Sequence, residues 1–393
     1  MKMKKRTTSF GRRAGALAAR GMLALTLSLA GSAFAQVLPA HLDRANVPQG
    51  CLGCHAGGHG AKGTALLKAG TSGVCLGCHD LRAKERSPRI TPRLDLRASL
   101  DKASRHPVEE TSALHRRGEP FPERNPGARR HVACADCHDV HWSRTDSPLA
   151  RLDGLDTAGA RVRQDAAEFE VCYKCHADDA NLPRDSKNKR LEFNRSNPSF
   201  HPVEAAGRSL RVPSLIPPWN VQSTMKCSDC HGSDDTLGPK GPHGSIYGPI
   251  LVAHYETNDA LGENSFQYAL CYKCHDRSSI LANRSFPLHN LHVVKAGASC
   301  YACHTAHGSQ VNTHLVSFNP AVVTLPKSSP QAAGGVVRLP QAAGARPAPF
   351  AIPQFAQPRS AGTIEIGRYV DLGNGHGQCS LSCHGVEHNP ASY

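Results

Sequence analysis

All sixteen cysteines of this 393-residue chain stand in eight pairs, and a histidine directly follows every pair. Seven pairs have the spacing Cys-x-x-Cys-His, and the eighth has one extra residue between its cysteines. The eight sites are Cys51/Cys54/His55, Cys75/Cys78/His79, Cys134/Cys137/His138, Cys172/Cys175/His176, Cys227/Cys230/His231, Cys271/Cys274/His275, Cys300/Cys303/His304 and Cys379/Cys383/His384. This repetition constrains the fold, because the chain must present each cysteine pair and its histidine as one local site.

The N-terminal residues have the features of an export signal. Residues 1–20 carry seven Lys or Arg and no acid, residues 22–30 form an apolar run, and an Ala-Phe-Ala sequence ends at Ala35. We predict a signal peptide over 1–35 and a mature chain that begins at Gln36. The apolar run is too short to span a bilayer, and no later segment is more apolar, so the mature chain is predicted to lack a transmembrane segment.

The chemistry of the eight sites follows from the residue types and their spacing. In an exported protein Cys-x-x-Cys-His is the pattern of covalent c-type haem attachment. The two thiols form thioethers with the haem, and the adjacent histidine is the proximal iron ligand. Disulfides and zinc sites use cysteine pairs too, but neither needs a histidine after every pair. We therefore predict eight covalent haems that use all sixteen cysteines.

Composition indicates what fills the interior. The chain is 39% hydrophobic and only 5% aromatic, whereas a self-packed protein of this size buries most of its surface under apolar side chains. Its 35 glycines and 28 prolines interrupt long helices. We predict a mostly irregular fold with short α-helices and little β-structure, packed around haems. The net charge of +14 falls to +7 without the leader, and its basic residues are spread out, so nucleic acid is not an expected partner.

The motifs recur in doubled units. Residues 104–176 and 199–275 both contain His-Pro-Val-Glu, then Cys-x-Asp-Cys-His, then Cys-Tyr-Lys-Cys-His. The predicted organisation is a first haem pair at 36–100, a second at 101–198, a third at 199–285, the seventh haem at 286–317, a Pro/Ala/Gly-rich tether at 318–361 and the eighth haem at 362–393.

Histidine is the expected second axial ligand, because only one methionine, Met225, lies beyond the leader. Bis-histidine ligation without methionine predicts low reduction potentials. Recurrence in the repeat selects the candidate distal ligands. They are His59, His141, His243 and His307 after the first motif of each unit, His106, His201 and one of His289 or His292 upstream of a pair, and His41 before the first pair. For the eighth haem we favour His376 over His388, with His314 as the third choice.

The sequence resembles the multihaem cytochromes c with doubled CXXCH motifs, and its motifs span residues 51–384. The resemblance implies closely stacked haems and an electron carrier of the periplasm, the outer membrane or the cell exterior. We predict an octahaem c-type cytochrome that transfers electrons through the cell envelope, without catalytic residues. The expected partners are other redox proteins or an outer-membrane conduit.

Two alternatives stay open. One is an octahaem reductase of nitrogen or sulfur oxyanions, which needs one iron with an open sixth position; the Cys-x-x-Cys-Lys motif that often marks such an iron is absent. The other is a structural subunit that self-associates into a haem filament.

Overall fold

The computed structural model describes residues 40–59, 65–83, 91–109, 120–126, 131–182, 186–326 and 367–393. Residues Leu38–Tyr393 form one compact unit. The predicted signal peptide and most of the predicted tether lie outside the described residues. Within them no helix is both long enough and apolar enough to cross a membrane.

The helices are short, as predicted. They are α1 (Thr71–Leu76), α2 (Arg97–Leu100), α3 (Cys134–Cys137), α4 (Glu168–His176), α5 (Lys189–Glu192), α6 (Ala269–Tyr272), α7 (Arg277–Leu281) and α8 (Cys300–Cys303). The 3-10 turns are Gly50–Gly53, Pro92–Leu94 and Cys227–Asp229, and Asn290–Lys295 forms a π-helix. Most cysteine motifs therefore lie on a single helical turn.

Acidic side chains accept a backbone hydrogen bond at the start of two of these motif turns. Asp136 accepts a hydrogen bond from the amide of Ala133 at 2.7 Å, and Asp229 accepts one from Lys226 at 2.7 Å. Each carboxylate is the third residue of its motif and reaches back to the residue before the first cysteine. The aspartate of Cys-x-Asp-Cys-His thus satisfies an amide at the start of the turn.

The strands are also short, except near the C-terminus. They are β1 (His55–His59), β2 (Ala65–Leu67), β3 (Ser104–Arg105), β4 (Gly154–Leu155), β5 (Arg161–Val162), β6 (Ser199–Phe200), β7 (Gly244–Ser245), β8 (Gly308–Ser309), β9 (Val323–Thr324), β10 (Arg368–Gly373), β11 (His376–Cys383) and β12 (Val386–Ser392). Four two-stranded pairs form, namely β1 with β2, β3 with β7, β4 with β5, and β6 with β8.

The C-terminal segment is an antiparallel sheet in the order β10-β11-β12, and β9 pairs with the end of β11. The fold prediction of short helices and little β-structure is confirmed for the described residues. The last haem motif nevertheless lies on a strand and not on a short helical turn like most of the other motifs. Pairing between β9 and β11 also docks the C-terminal segment on residues near the start of the predicted tether.

The apolar core is small and lies around the fourth motif. Leu155, Tyr173, Ala177, Phe193 and Val203 form its buried cluster. The hydroxyl of Tyr173 donates a hydrogen bond to the buried carboxylate of Glu204 at 2.7 Å. The small size of this core agrees with the shortage of aromatic residues.

Two equivalent strand pairs join successive units. Strand β3 precedes His106 and pairs with β7, which follows His243; β6 precedes His201 and pairs with β8, which follows His307. A Cβ atom at Gly244 would overlap the carbonyl of Ser99, and one at Gly308 would overlap the carbonyl of Glu192. The glycine after each histidine is therefore required by the close approach of another backbone segment.

We expect Gly308→Ala to destabilise the protein by about 1–3 kcal/mol, because the new methyl group must displace backbone. Thermal unfolding of the haem-loaded protein measures this loss as a lower Tm. Gly70→Ala is the matched control, since a Cβ at Gly70 meets nothing within 4 Å. Equal Tm values for the two variants would contradict the packing role of Gly308.

Candidate haem sites

Histidine side chains face one another in pairs throughout the described residues. In seven pairs the ring centroids are 5.8–6.3 Å apart. The pairs are His41–His79, His55–His141, His106–His176, His138–His243, His231–His307, His289–His304 and His292–His388. Six of these pairs combine one motif histidine with one histidine from outside the motifs.

The separation within these pairs fits a metal ion between two imidazoles. A bond from a metal ion to an imidazole nitrogen is about 2 Å long, so two nitrogens on opposite sides of one ion are about 4 Å apart. The ring centres lie about 1 Å beyond each nitrogen, which gives about 6 Å between centroids. The histidine pairs therefore have the spacing that bis-histidine haem ligation requires.

The first motif of a unit takes its facing histidine from the next unit along the chain. His55 faces His141 at 6.3 Å, His138 faces His243 at 6.0 Å, and His231 faces His307 at 6.2 Å. In each pair the facing histidine follows the first motif of the next unit. Sequence recurrence selected these histidines but did not indicate which motif each would meet.

The second motif of a unit takes its facing histidine from upstream in the same unit. His79 faces His41 at 5.8 Å, and His176 faces His106 at 6.1 Å. In the third unit His201 lies close to His275. The pKa of His275 is lowered to about 4, mainly by burial and next by the electrostatic effect of His201. The two rules place a second histidine beside each of the first six motif histidines.

Backbone carbonyls orient many of these rings through Nδ1. Among the motif histidines, Nδ1 lies 3.0–3.1 Å from a carbonyl oxygen in His79, His138, His231 and His304. A carbonyl only accepts, so Nδ1 carries the hydrogen and Nε2 keeps its lone pair for a metal ion.

The facing histidines use the same device at equivalent positions of the repeat. His106 Nδ1 donates to the carbonyl of Pro242 at 2.6 Å, and His201 Nδ1 donates to that of Ala306 at 2.6 Å. Pro242 and Ala306 immediately precede His243 and His307. One backbone segment thus orients a histidine of one unit and carries the facing histidine for another motif.

Burial keeps several of the paired imidazoles neutral. Removal from water, together with the smaller effect of neighbouring histidines, lowers the pKa to about 4 in His176, His243, His275 and His289. Only a neutral imidazole offers a lone pair to a metal ion. These side chains are therefore in the protonation state that ligation needs at neutral pH.

None of the sixteen cysteines forms a disulfide, and thiols of consecutive motifs interact. Hydrogen bonds join Cys75 to Cys134, Cys172 to Cys227 and Cys271 to Cys300. Electrostatic interactions also act between Cys54 and Cys78, Cys137 and Cys175, Cys230 and Cys274, and Cys303 and Cys383. Each motif is thus adjacent to the next motif in the sequence.

The residues present fit covalently bound c-type haem. Paired thiols can form the thioethers, and buried neutral imidazoles about 6 Å apart can hold the iron between them. The cysteines would attach the group, the motif histidines would provide the proximal ligand, and the facing histidines would provide the distal one.

Several other predicted ligands are placed differently. His289 and His292, expected to share one role, each face a separate histidine, His304 and His388. His376 Nδ1 lies 3.1 Å from the carbonyl of Tyr393. The side chain of His59 lies outside the described residues, so its assignment stays a prediction.

The final motif differs from the others in its histidine contacts. His384 Nε2 lies 2.7 Å from the Asp259 carboxylate, and His314 Nε2 lies 3.1 Å from that of Asp371. In both contacts the histidine Nε2 atom meets a carboxylate oxygen and not a second imidazole. These carboxylate contacts could not be predicted from the motifs, because the partners are 125 and 57 residues apart in the chain.

These sites define a protein that binds c-type haem covalently. Residues 45–84 and 126–181 match the family model for the doubled CXXCH motif. This match supports a multihaem c-type cytochrome with doubled motifs. No curated protein and no solved structure gave a match.

We expect His141→Ala, His243→Ala and His307→Ala each to convert one haem from low-spin to high-spin, because one iron loses an axial ligand. The haem count should stay the same, since no cysteine changes. Electron paramagnetic resonance of the oxidised protein measures the spin state, and intact mass measures the haem count.

The control for these three variants is His254→Ala. His254 stacks on Phe266 with ring centroids 4.6 Å apart, and its Nε2 lies 4.0 Å from the carboxylate of Glu256. It should leave every haem low-spin. If the three variants behaved like this control, the cross-unit ligand assignment would be wrong.

Proposed function

We propose that this protein is an octahaem electron carrier whose haems form one row in chain order. The observation that carries the proposal is the interaction between cysteines of consecutive motifs, by hydrogen bonds in pairs such as Cys172 with Cys227 and electrostatically from Cys54 with Cys78 to Cys303 with Cys383. Each motif attaches its own haem, so contacts between successive motifs favour neighbouring haems along the whole sequence.

Bound haem supplies one-electron chemistry at iron, and the protein sets the position, ligation and potential of each iron. Histidine on both faces of an iron leaves no position for a substrate. Each of the first seven motif histidines has a second histidine beside it. This arrangement supports electron transfer over reduction of a nitrogen or sulfur oxyanion.

The proposed location is outside the cytoplasm, in the periplasm or at the outer membrane or cell exterior. The support is the predicted leader and the export typical of multihaem c-type cytochromes. The proposed partners are other redox proteins or an outer-membrane conduit, and self-association into a filament would extend the same row.

We predict that the intact mass equals the chain from Gln36 plus eight haems, because eight motifs use all sixteen cysteines. No free thiol should be detected on the unfolded haem-loaded protein. The variant with both Cys379→Ser and Cys383→Ser should lose the mass of one haem. A native mass with seven haems, unchanged in this variant, would contradict attachment at the final motif.

Spin state distinguishes the carrier from the reductase. Because we place two histidines on every iron, the oxidised protein should give only low-spin six-coordinate signals in electron paramagnetic resonance. A distinct high-spin haem in the native protein would favour a reductase with an open iron position.

A further inference from the structure

We propose that Glu192 lowers the reduction potential of the fifth haem through a hydrogen bond to the distal ligand His307. The fifth haem is the one attached to Cys227 and Cys230, and its motif histidine His231 faces His307 at 6.2 Å. The inference rests on the proposed electron carrier and adds a residue that sets one potential within the row. Glu192 is a positioning residue, because it acts on the iron through the imidazole of His307.

A buried carboxylate meets the outer nitrogen of the His307 ring. Oε2 of Glu192 lies 3.3 Å from His307 Nδ1, and the two side chains share a hydrogen bond. The Glu192 side chain is only 5% exposed, so water and salt screen its charge weakly. An ionised carboxylate only accepts, so Nδ1 carries the hydrogen and Nε2 keeps the lone pair that ligation needs.

Helix α5 and its surroundings fix the position and the charge of this carboxylate. Asn197 donates a hydrogen bond to the backbone carbonyl of Glu192 at 2.7 Å. Lys189, one turn earlier in α5, donates to Oε2 of Glu192 at 2.6 Å. This ion pair keeps the buried carboxylate ionised and balances part of its charge. Glu192 therefore holds a fixed negative charge against His307.

The residue after Glu192 also contacts the His307 ring. The ring of Phe193 packs edge-on against it, with the two centroids 5.4 Å apart. Phe193 belongs to the buried apolar cluster of the protein, so its own position is fixed by packing. The end of α5 thus contacts His307 through a charged group and through an apolar ring, which together orient the imidazole.

In the preceding unit the equivalent position holds a serine. The glycine after His307 comes close to the backbone carbonyl of Glu192, and the glycine after His243 comes close to that of Ser99. Ser99 and Glu192 therefore occupy the same place beside the two histidines, and both are buried. A serine carries no charge, so this position gives His243 no negative neighbour.

His141, the other histidine that crosses to a preceding unit, has a carboxylate neighbour that is exposed to water. Oδ1 of Asp139 lies 3.7 Å from His141 Nδ1, and the side chains of His141 and Asp139 are 59% and 34% exposed. Interactions between exposed groups are weak, because water and salt screen them. Of these three histidines, His307 therefore has the closest and most buried carboxylate in the described residues.

The contact with Glu192 changes the electron affinity of the fifth haem. A hydrogen bond from an imidazole to a carboxylate makes the imidazole a stronger donor to iron, and a nearby negative charge favours the oxidised state. Both effects lower the reduction potential. The third haem, between His138 and His243, is the natural comparison. We expect a lower potential at the fifth haem than at the third, which creates a step within the proposed row.

The test measures the potential of the fifth haem in the full-length haem-loaded protein. His307→Ala identifies this haem, because its low-spin signal in electron paramagnetic resonance should disappear. A potentiometric titration followed by the same method then gives the midpoint potential of that signal in the native protein and in the variants of Glu192.

Glu192→Gln removes the charge at nearly constant shape, and Glu192→Ser reproduces the residue of the preceding unit. We expect both variants to keep eight low-spin haems. The ratio of reduced to oxidised fifth haem at a fixed potential should rise by about tenfold, which is ~59 mV for a one-electron couple. The g values of its low-spin signal should also change, because His307 becomes a weaker donor.

Glu204→Gln is the matched control. Glu204 is also buried, and its carboxylate accepts a hydrogen bond from Tyr173 at 2.7 Å. This variant should leave the potential and the g values of the fifth haem unchanged. An unchanged potential in both variants of Glu192, or an equal shift in the control, would overturn the role of Glu192 although the row of haems stands. If His307→Ala leaves every haem low-spin, the ligand assignment fails and this role fails with it.

Discussion

The bond between an iron and a histidine from the next unit is the interaction on which the proposed architecture depends. His141, His243 and His307 each cross from one doubled unit to the preceding one. The apolar core is confined to a small cluster around Tyr173 and Phe193, so it cannot hold the units together by itself. Metal ligation and folding are then coupled, and the haem-loaded state should be far more stable than the apoprotein.

Backbone contacts prepare these cross-unit bonds. The strand pairs β3 with β7 and β6 with β8 place His106 near His243 and His201 near His307. The carbonyls of Pro242 and Ala306 then fix the rings of the two upstream histidines. A short polar interface therefore aligns two ligands for two different motifs, and the glycine after the crossing histidine allows the strands to approach.

Local features could be predicted from sequence, whereas pairings between distant segments could not. Frequent glycine and proline predicted short helices, because they interrupt helices locally. Recurrence of His141 and His243 predicted that each is a haem ligand. It did not predict which motif each histidine faces, because that depends on contact between units. The strand that carries the final motif was not predicted, because β11 depends on pairing with β10, β12 and β9.

The last unit does not follow the pattern of the first three. Its first motif histidine, His304, faces the upstream His289 at 6.3 Å, whereas His55, His138 and His231 each face a histidine of another unit. The other upstream histidine, His292, faces His388 on β12 of the C-terminal hairpin. Sequence recurrence gave His289 and His292 a single role, because it could not show that one short segment around the π-helix Asn290–Lys295 contacts both the seventh motif and the C-terminal hairpin.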